Sequence, residues 1–107
     1  GTTIKSPNIE GNNITVNGYF QTKSSSSIIT GYMGAMTGED VNGRQTPGVG
    51  LSATCSGGIM QAPYLIVTDS GVRLQGGDVA LYVTDSGAKI DTGSQIIDLL
   101  NITATFG

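Results

Sequence analysis

The side chains able to do chemistry are few, and their types exclude most reactions. The 107-residue chain has no His, no Trp and one cysteine, Cys55. Without an imidazole there is no Ser–His–Asp or Cys–His nucleophile system, and the commonest zinc ligand is missing. A lone cysteine cannot close a disulfide within the chain, so Cys55 reads as a small buried hydrophobe. Paired carboxylates are the remaining route to catalysis, as in glycoside hydrolysis, where one acid protonates the leaving oxygen and a second carboxylate assists. The candidates are Glu39-Asp40, Asp69 and Asp85. Asp69 and Asp85 each stand before Ser-Gly, the place of a turn-capping residue, and Glu39-Asp40 falls in a polar loop. No enzyme activity is expected from them. Asp78, Asp85 and Asp91 are scattered and make no calcium loop. Gly48-Val49-Gly50-Leu51-Ser52-Ala53 satisfies the relaxed dinucleotide pattern GxGxxA, but it follows a proline turn and enters a strand instead of a helix. No metal and no cofactor is expected.

The elements that hold these residues are short strands. Gly, Thr, Ser and Asn number 17, 13, 10 and 6, whereas charged residues are only 12% of the chain, about half the usual share. A helical bundle needs Ala, Glu, Leu and Lys that are not here. No segment of ten or more residues carries a 3.6-residue apolar period, so almost no helix is expected and the fold class is all-β. The basic residues Lys5, Lys23, Arg44, Arg73 and Lys89 are widely spaced in a chain of net charge -3. They form no patch for a phosphate backbone, so no nucleic-acid partner is expected. No apolar run is long enough to span a bilayer, and no signal peptide is visible. So little apolar content buries a thin core, and with disulfides and metals set aside, oligomerisation is the reinforcement left.

Along the chain, residues 1–23 hold short β-type pieces (Ile9, Ile14-Thr15-Val16, Tyr19-Phe20) broken by Gly11-Asn12-Asn13 and by Asn17-Gly18, a hairpin-turn dipeptide. Four serines, 24–27, read as a flexible joint, which divides the chain into an opening β-repeat over 1–23 and an all-β domain over 24–107. Residues 28–36 and 49–55 read as strands, with the turn-rich stretch 37–48 an exposed loop between them. The strongest feature is an internal repeat. Residues 65–78 and 81–94 match at seven of fourteen positions, including Leu65/Leu81, Val67/Val83 and the run Thr-Asp-Ser-Gly. Each copy reads as strand, Asp-Ser-Gly turn, and return strand with apolar residues inward and the cation (Arg73 or Lys89) outward. This is a β-meander. A longer last strand, 95–105, is expected to be buried on both faces by a partner chain.

The opening Ile4-Lys5-Ser6-Pro7-Asn8-Ile9-Glu10-Gly11-Asn12-Asn13-Ile14-Thr15-Val16-Asn17-Gly18, followed by the Asp-Ser-Gly meander, resembles the distal part of trimeric bacteriophage tail-fibre and central tail-tip proteins. The resemblance covers residues 3–23 and, more loosely, 63–94. It implies three chains entwined as a β-prism or triple β-helix, a location on the phage tail outside the cell, and a tip that attaches to an outer-membrane protein or a surface glycan of a bacterium. No receptor contact carries over residue by residue. From the sequence itself, the expected binding surface is the 37–48 loop with its neighbours: Tyr32, Met33, Met36, Glu39, Asp40 and Arg44. Methionine-rich surfaces adapt to varied partners. The alternatives are a monomeric β-sandwich adhesion or carbohydrate-binding module, and a small hydrolase using the carboxylates.

Overall fold

The computed structural model describes residues 8–101. Among these residues eight strands make one antiparallel meander: β1 Tyr19–Ser25, β2 Ile28–Glu39, β3 Gln45–Ser56, β4 Ile59–Thr68, β5 Gly71–Gly76, β6 Val79–Thr84, β7 Gly87–Asp91 and β8 Ile96–Asp98. They stand in the sheet in chain order. Among the described residues the only helical turn is a three-residue 3-10 turn, Leu99–Asn101. No helix there is long and apolar enough to cross a membrane.

The turns follow from residue type. Gly57 and Gly58, with φ of 59° and 80°, close the β3–β4 hairpin in a conformation that side-chain-bearing residues rarely adopt. The two repeat copies turn on Asp-Ser, with Thr68 paired to Gly71 and Thr84 paired to Gly87. The residue that caps each turn is the threonine, not the expected aspartate. Thr68 Oγ1 accepts from the Ser70 N–H at 3.2 Å, and Thr84 Oγ1 accepts from Ser86 at the same distance. Asp69 and Asp85 are exposed.

The small core comes from a local curl of the three longest strands. β2 and β4 both flank β3, yet they also meet each other in parallel at Thr37 and Ile59. The Thr37 N–H donates to Gly58 O at 2.7 Å across that seam. Inside the curl lie Met36, Met60, Tyr64 and Ile66, with Tyr32 and Cys55 packed against them. The curl is tight because the inner positions of β3 are glycines. A Cβ on Gly48 would sit 2.6 Å from the Val67 carbonyl oxygen, and one on Gly50 would sit 2.5 Å from Met60 Sδ. Ser52, also inner and buried, places its hydroxyl 2.6 Å from Thr54 O and accepts from the Thr54 N–H. It bridges the bulge where the β3–β4 register shifts.

Several sequence expectations change. The serines are not a joint: Ser24 and Ser25 end β1, Ser26 and Ser27 form the turn, and the expected 23/24 boundary falls inside β1. Ile9 and residues 14–16 are not strands, and Asn17-Gly18 is a bend leading into β1, because β1 pairs with β2 instead of folding back. Its Gly18 carbonyl accepts from the Ala35 N–H at 2.8 Å. The loop is only residues 40–44, since β2 and β3 extend into both flanks. The last strand stops after three residues and gives way to the 3-10 turn; the rest of its expected span, with Ile102 and Ala104, lies outside the described residues.

Gly48→Ala is expected to force Val67 and β4 outward and to lower stability by about 2 kcal/mol, the usual cost of overpacking a tight site. Gly76→Ala, whose Cβ meets only ordinary contact, serves as the control. Urea unfolding of both variants measures the difference.

Candidate functional site

The two faces of the sheet differ in kind. Side chains alternate between faces along a strand, so residues opposite one another in register share a face. One row runs through all eight strands: Phe20, Met33, Leu51, Leu65, Leu74, Leu81, Ile90 and Ile97 are each directly opposite the next. A second row lies beside it on the same face: Ala35, Val49, Val67, Val72, Val83 and Ala88. Every residue in both rows is apolar. At about 4.8 Å per strand, the first row is roughly 34 Å long.

Nothing in the described chain covers this face. Val49 is 65% exposed, Phe20 53%, Leu74 49% and Leu51 48%. A shallow groove of about 490 Å³ runs over it, lined in part by Met33, Leu51, Leu65 and Leu74. A contiguous apolar strip of this extent is unusual on the surface of a protein that stays monomeric. The radius of gyration, 17.2 Å, agrees: a compact chain of this length has about 13 Å.

The opposite face, polar apart from the small core, is locked. Arg73 is buried to 7% exposure there. Its Nη1 donates to the Asp40 carbonyl at 2.9 Å, and its Nε and Nη2 donate to Gln75 Oε1 at 2.9 and 2.6 Å. Glu39 Oε2 lies 3.2 Å from Nη2, and the guanidinium sits 5.0 Å from the Tyr82 ring centre. The Asp40 side chain organises the loop. Its Oδ1 accepts from the N–H groups of Asn42 and Arg44, and its Oδ2 accepts from the Thr46 hydroxyl. Burial pushes the Asp40 carboxyl up, but these three hydrogen bonds and the nearby Arg44 charge outweigh it and hold the group below its ordinary value. The buried Tyr64 hydroxyl, whose pKa burial raises, donates to Glu39 O at 3.1 Å. Among the described residues no buried side-chain polar atom lacks a partner.

The six residues expected to form a binding surface are not gathered into one. Met36 and Asp40 are buried at 2% and 5% exposure, one in the core and one holding the loop. Met33 projects from the apolar face, whereas Tyr32 is half-buried on the other, packed on the core and edge-on to Tyr19. Glu39 is half-exposed and paired with Arg73, and Arg44 is exposed on the loop. The carboxylates considered for hydrolysis do not converge either: Asp40 is engaged in the loop, while Asp69 and Asp85 stand at separate exposed turns. Gly48 and Gly50 of the GxGxxA stretch lie inside β3 with no helix following.

Two features escaped the sequence reading. Arg73 was expected to face outward like Lys89, its repeat counterpart. Both do lie on the polar face, opposite Tyr82 from either side, but loop 40–44 covers only Arg73. The continuity of the apolar row was half visible, in Leu65/Leu81 and Leu74/Ile90. Its extension through Leu51, Met33 and Phe20 depends on inter-strand register. No protein family, curated protein or solved structure matches the chain.

Arg73→Met leaves the Asp40 carbonyl and Gln75 without their donor and is expected to destabilise by about 3 kcal/mol. Lys89→Met, at the same repeat position but exposed, should change stability by less than about 0.5 kcal/mol. Urea midpoints compare the two. For Asp40 the folded pKa is lowered, so its stabilisation is complete above the unfolded value of about 3.9 and is lost as pH falls through the folded value. Asp40→Asn should therefore melt at a lower temperature than the native chain at neutral pH. The gap should narrow on acidification below about pH 4.

Proposed function

We propose that this chain is the receptor-binding end of a trimeric phage tail fibre or tail-tip protein, acting outside the bacterial cell by recognition and without chemistry. The observation that carries the reading is the uncovered apolar face. Three copies of the sheet, each turning this face to a common three-fold axis, would remove it from water together. Completing the burial of a half-exposed Leu or Val is worth roughly 1 kcal/mol, and the ladder repeats that gain across eight strands in each of three chains. Strands would then lie across the axis and stack along it. The β1 end follows the opening segment, with its exposed Ile9, Ile14 and Val16, and the β8 end lies at the other end of the stack. The polar face, with Arg44 and the 40–44 loop, is left to meet a bacterial outer-membrane protein or surface glycan. The resemblance of the opening repeat to tail-fibre segments supports the same assignment.

A monomeric β-sandwich adhesion or carbohydrate module would need a second sheet over the ladder. The described residues form one sheet, so covering the ladder takes further copies of the chain.

Light scattering on a sizing column should return about three times the chain mass of 10.9 kDa, persisting on dilution. Leu51→Asp combined with Leu74→Asp places charges in the ladder and should abolish that species, whereas Arg44→Ala should leave it intact. A monomeric native mass would overturn the trimer.

A further inference from the structure

The polar face holds one cleft that the Arg73–Asp40 network does not fill. It measures about 470 Å³, within the range of roughly 300–1,000 Å³ typical of small-molecule sites. Loop 40–44 forms one wall with Val41 and Asn42, and the 3-10 turn forms another with Leu100. Gly87 lets that turn approach: a Cβ there would sit 2.7 Å from Leu100 Cδ1. The floor comes from β6, β7 and β8, with Tyr82, Thr84, Lys89 and Asp98. Lys89 and Asp98 are direct partners across the β7–β8 register, and the hydroxyls of Thr84 and Ser86 lie 3.1 Å apart.

We propose that this cleft binds a short saccharide. A pyranose presents neighbouring hydroxyls that donate and accept, together with patches of C–H. The cleft answers both. The Lys89 ammonium donates, the Asn42 amide and the Ser86 hydroxyl donate or accept, and Val41, Ile96 and Leu100 supply aliphatic surface; Asp98 braces the wall, its Oδ1 accepting from the Leu100 N–H at 3.1 Å. Other ligands fit less well. A phosphate chain would need more than one cation, and Lys89 has Asp98 opposite it in a chain of net charge -3. An acyl chain would need an apolar lining. The cleft opens on the face opposite the ladder, so three-fold assembly leaves it accessible. The assignment of the sugar to a bacterial surface glycan rests on the tip reading above; the cleft chemistry does not.

The test is saturation-transfer difference NMR on the full chain with glucose, galactose, N-acetylglucosamine and glucuronic acid as probes. At least one sugar should receive saturation, with amide shifts centred on Asn42, Gly43, Ser86 and Lys89. Asn42→Ala with Lys89→Met should weaken that binding about tenfold or more, as expected for loss of a hydrogen bond to a charged group. Ser86→Trp, at an exposed turn, should block it by filling the mouth. No transfer to any probe from folded protein overturns the proposal, as does transfer unchanged in both variants. Adhesion to bacterial cells separates the two readings. Adhesion abolished by protease treatment of the cells, but not by periodate, makes the receptor a protein and removes the surface-glycan assignment. Saccharide binding without adhesion to any tested cells keeps the cleft and removes the phage tip.

Discussion

A single β-sheet has two faces, and the described residues cover part of only one of them. That constraint organises the molecule. The curl of β2, β3 and β4 and the folded loop 40–44 bury Met36, Met60, Tyr64 and Ile66 on one face. The other face keeps an unbroken apolar ladder from Phe20 to Ile97 in water. Such a surface is costly for a chain that stays alone and stabilising for one that assembles. The elongated form, low charge and thin core are consequences of the same division.

The internal repeat shows how context assigns a role. Arg73 and Lys89 occupy equivalent places in two copies of one motif, on the same face and against the same Tyr82. One is a buried hub joining β5 to loop 40–44, and the other is an exposed cation at the edge of a cleft. The difference arises outside the repeat, from Asp40, whose carboxylate folds the loop and whose carbonyl receives the arginine. A buried guanidinium demands that every donor be matched, and the loop and Gln75 together meet that demand. The loop therefore serves twice: it closes the core and forms a wall of the cleft.

Much of the architecture was legible in the residues. Period-two alternation and the Thr-Asp-Ser-Gly repeat placed β4 through β7 and their turns, and the scarcity of helix formers excluded a helical fold. Local chemistry misled where two readings competed. The serine run looked flexible by composition, yet it makes a tight hairpin, because β1 has a register partner in β2. Asn17-Gly18 carries a hairpin signal but only bends the chain into β1. Glu39 and Asp40 looked solvated because their partners are not their neighbours in sequence: Arg73, more than thirty residues on, pairs with the half-exposed Glu39 and donates to the carbonyl of the buried Asp40.

What the sequence alone determined was the class of fold, the turns of the internal repeat and the alternation that sends apolar side chains to one face, because each rests on neighbours within a few residues. What only the tertiary structure decided was the register. Register turned separate apolar positions into one ladder, buried Met36 and Asp40, set Arg73 beneath a loop, and brought Asn42, Lys89 and Leu100 around one cleft. These outcomes depend on pairings between distant strands. A shift of one residue would send every side chain of a strand to the opposite face, and no local propensity records that choice.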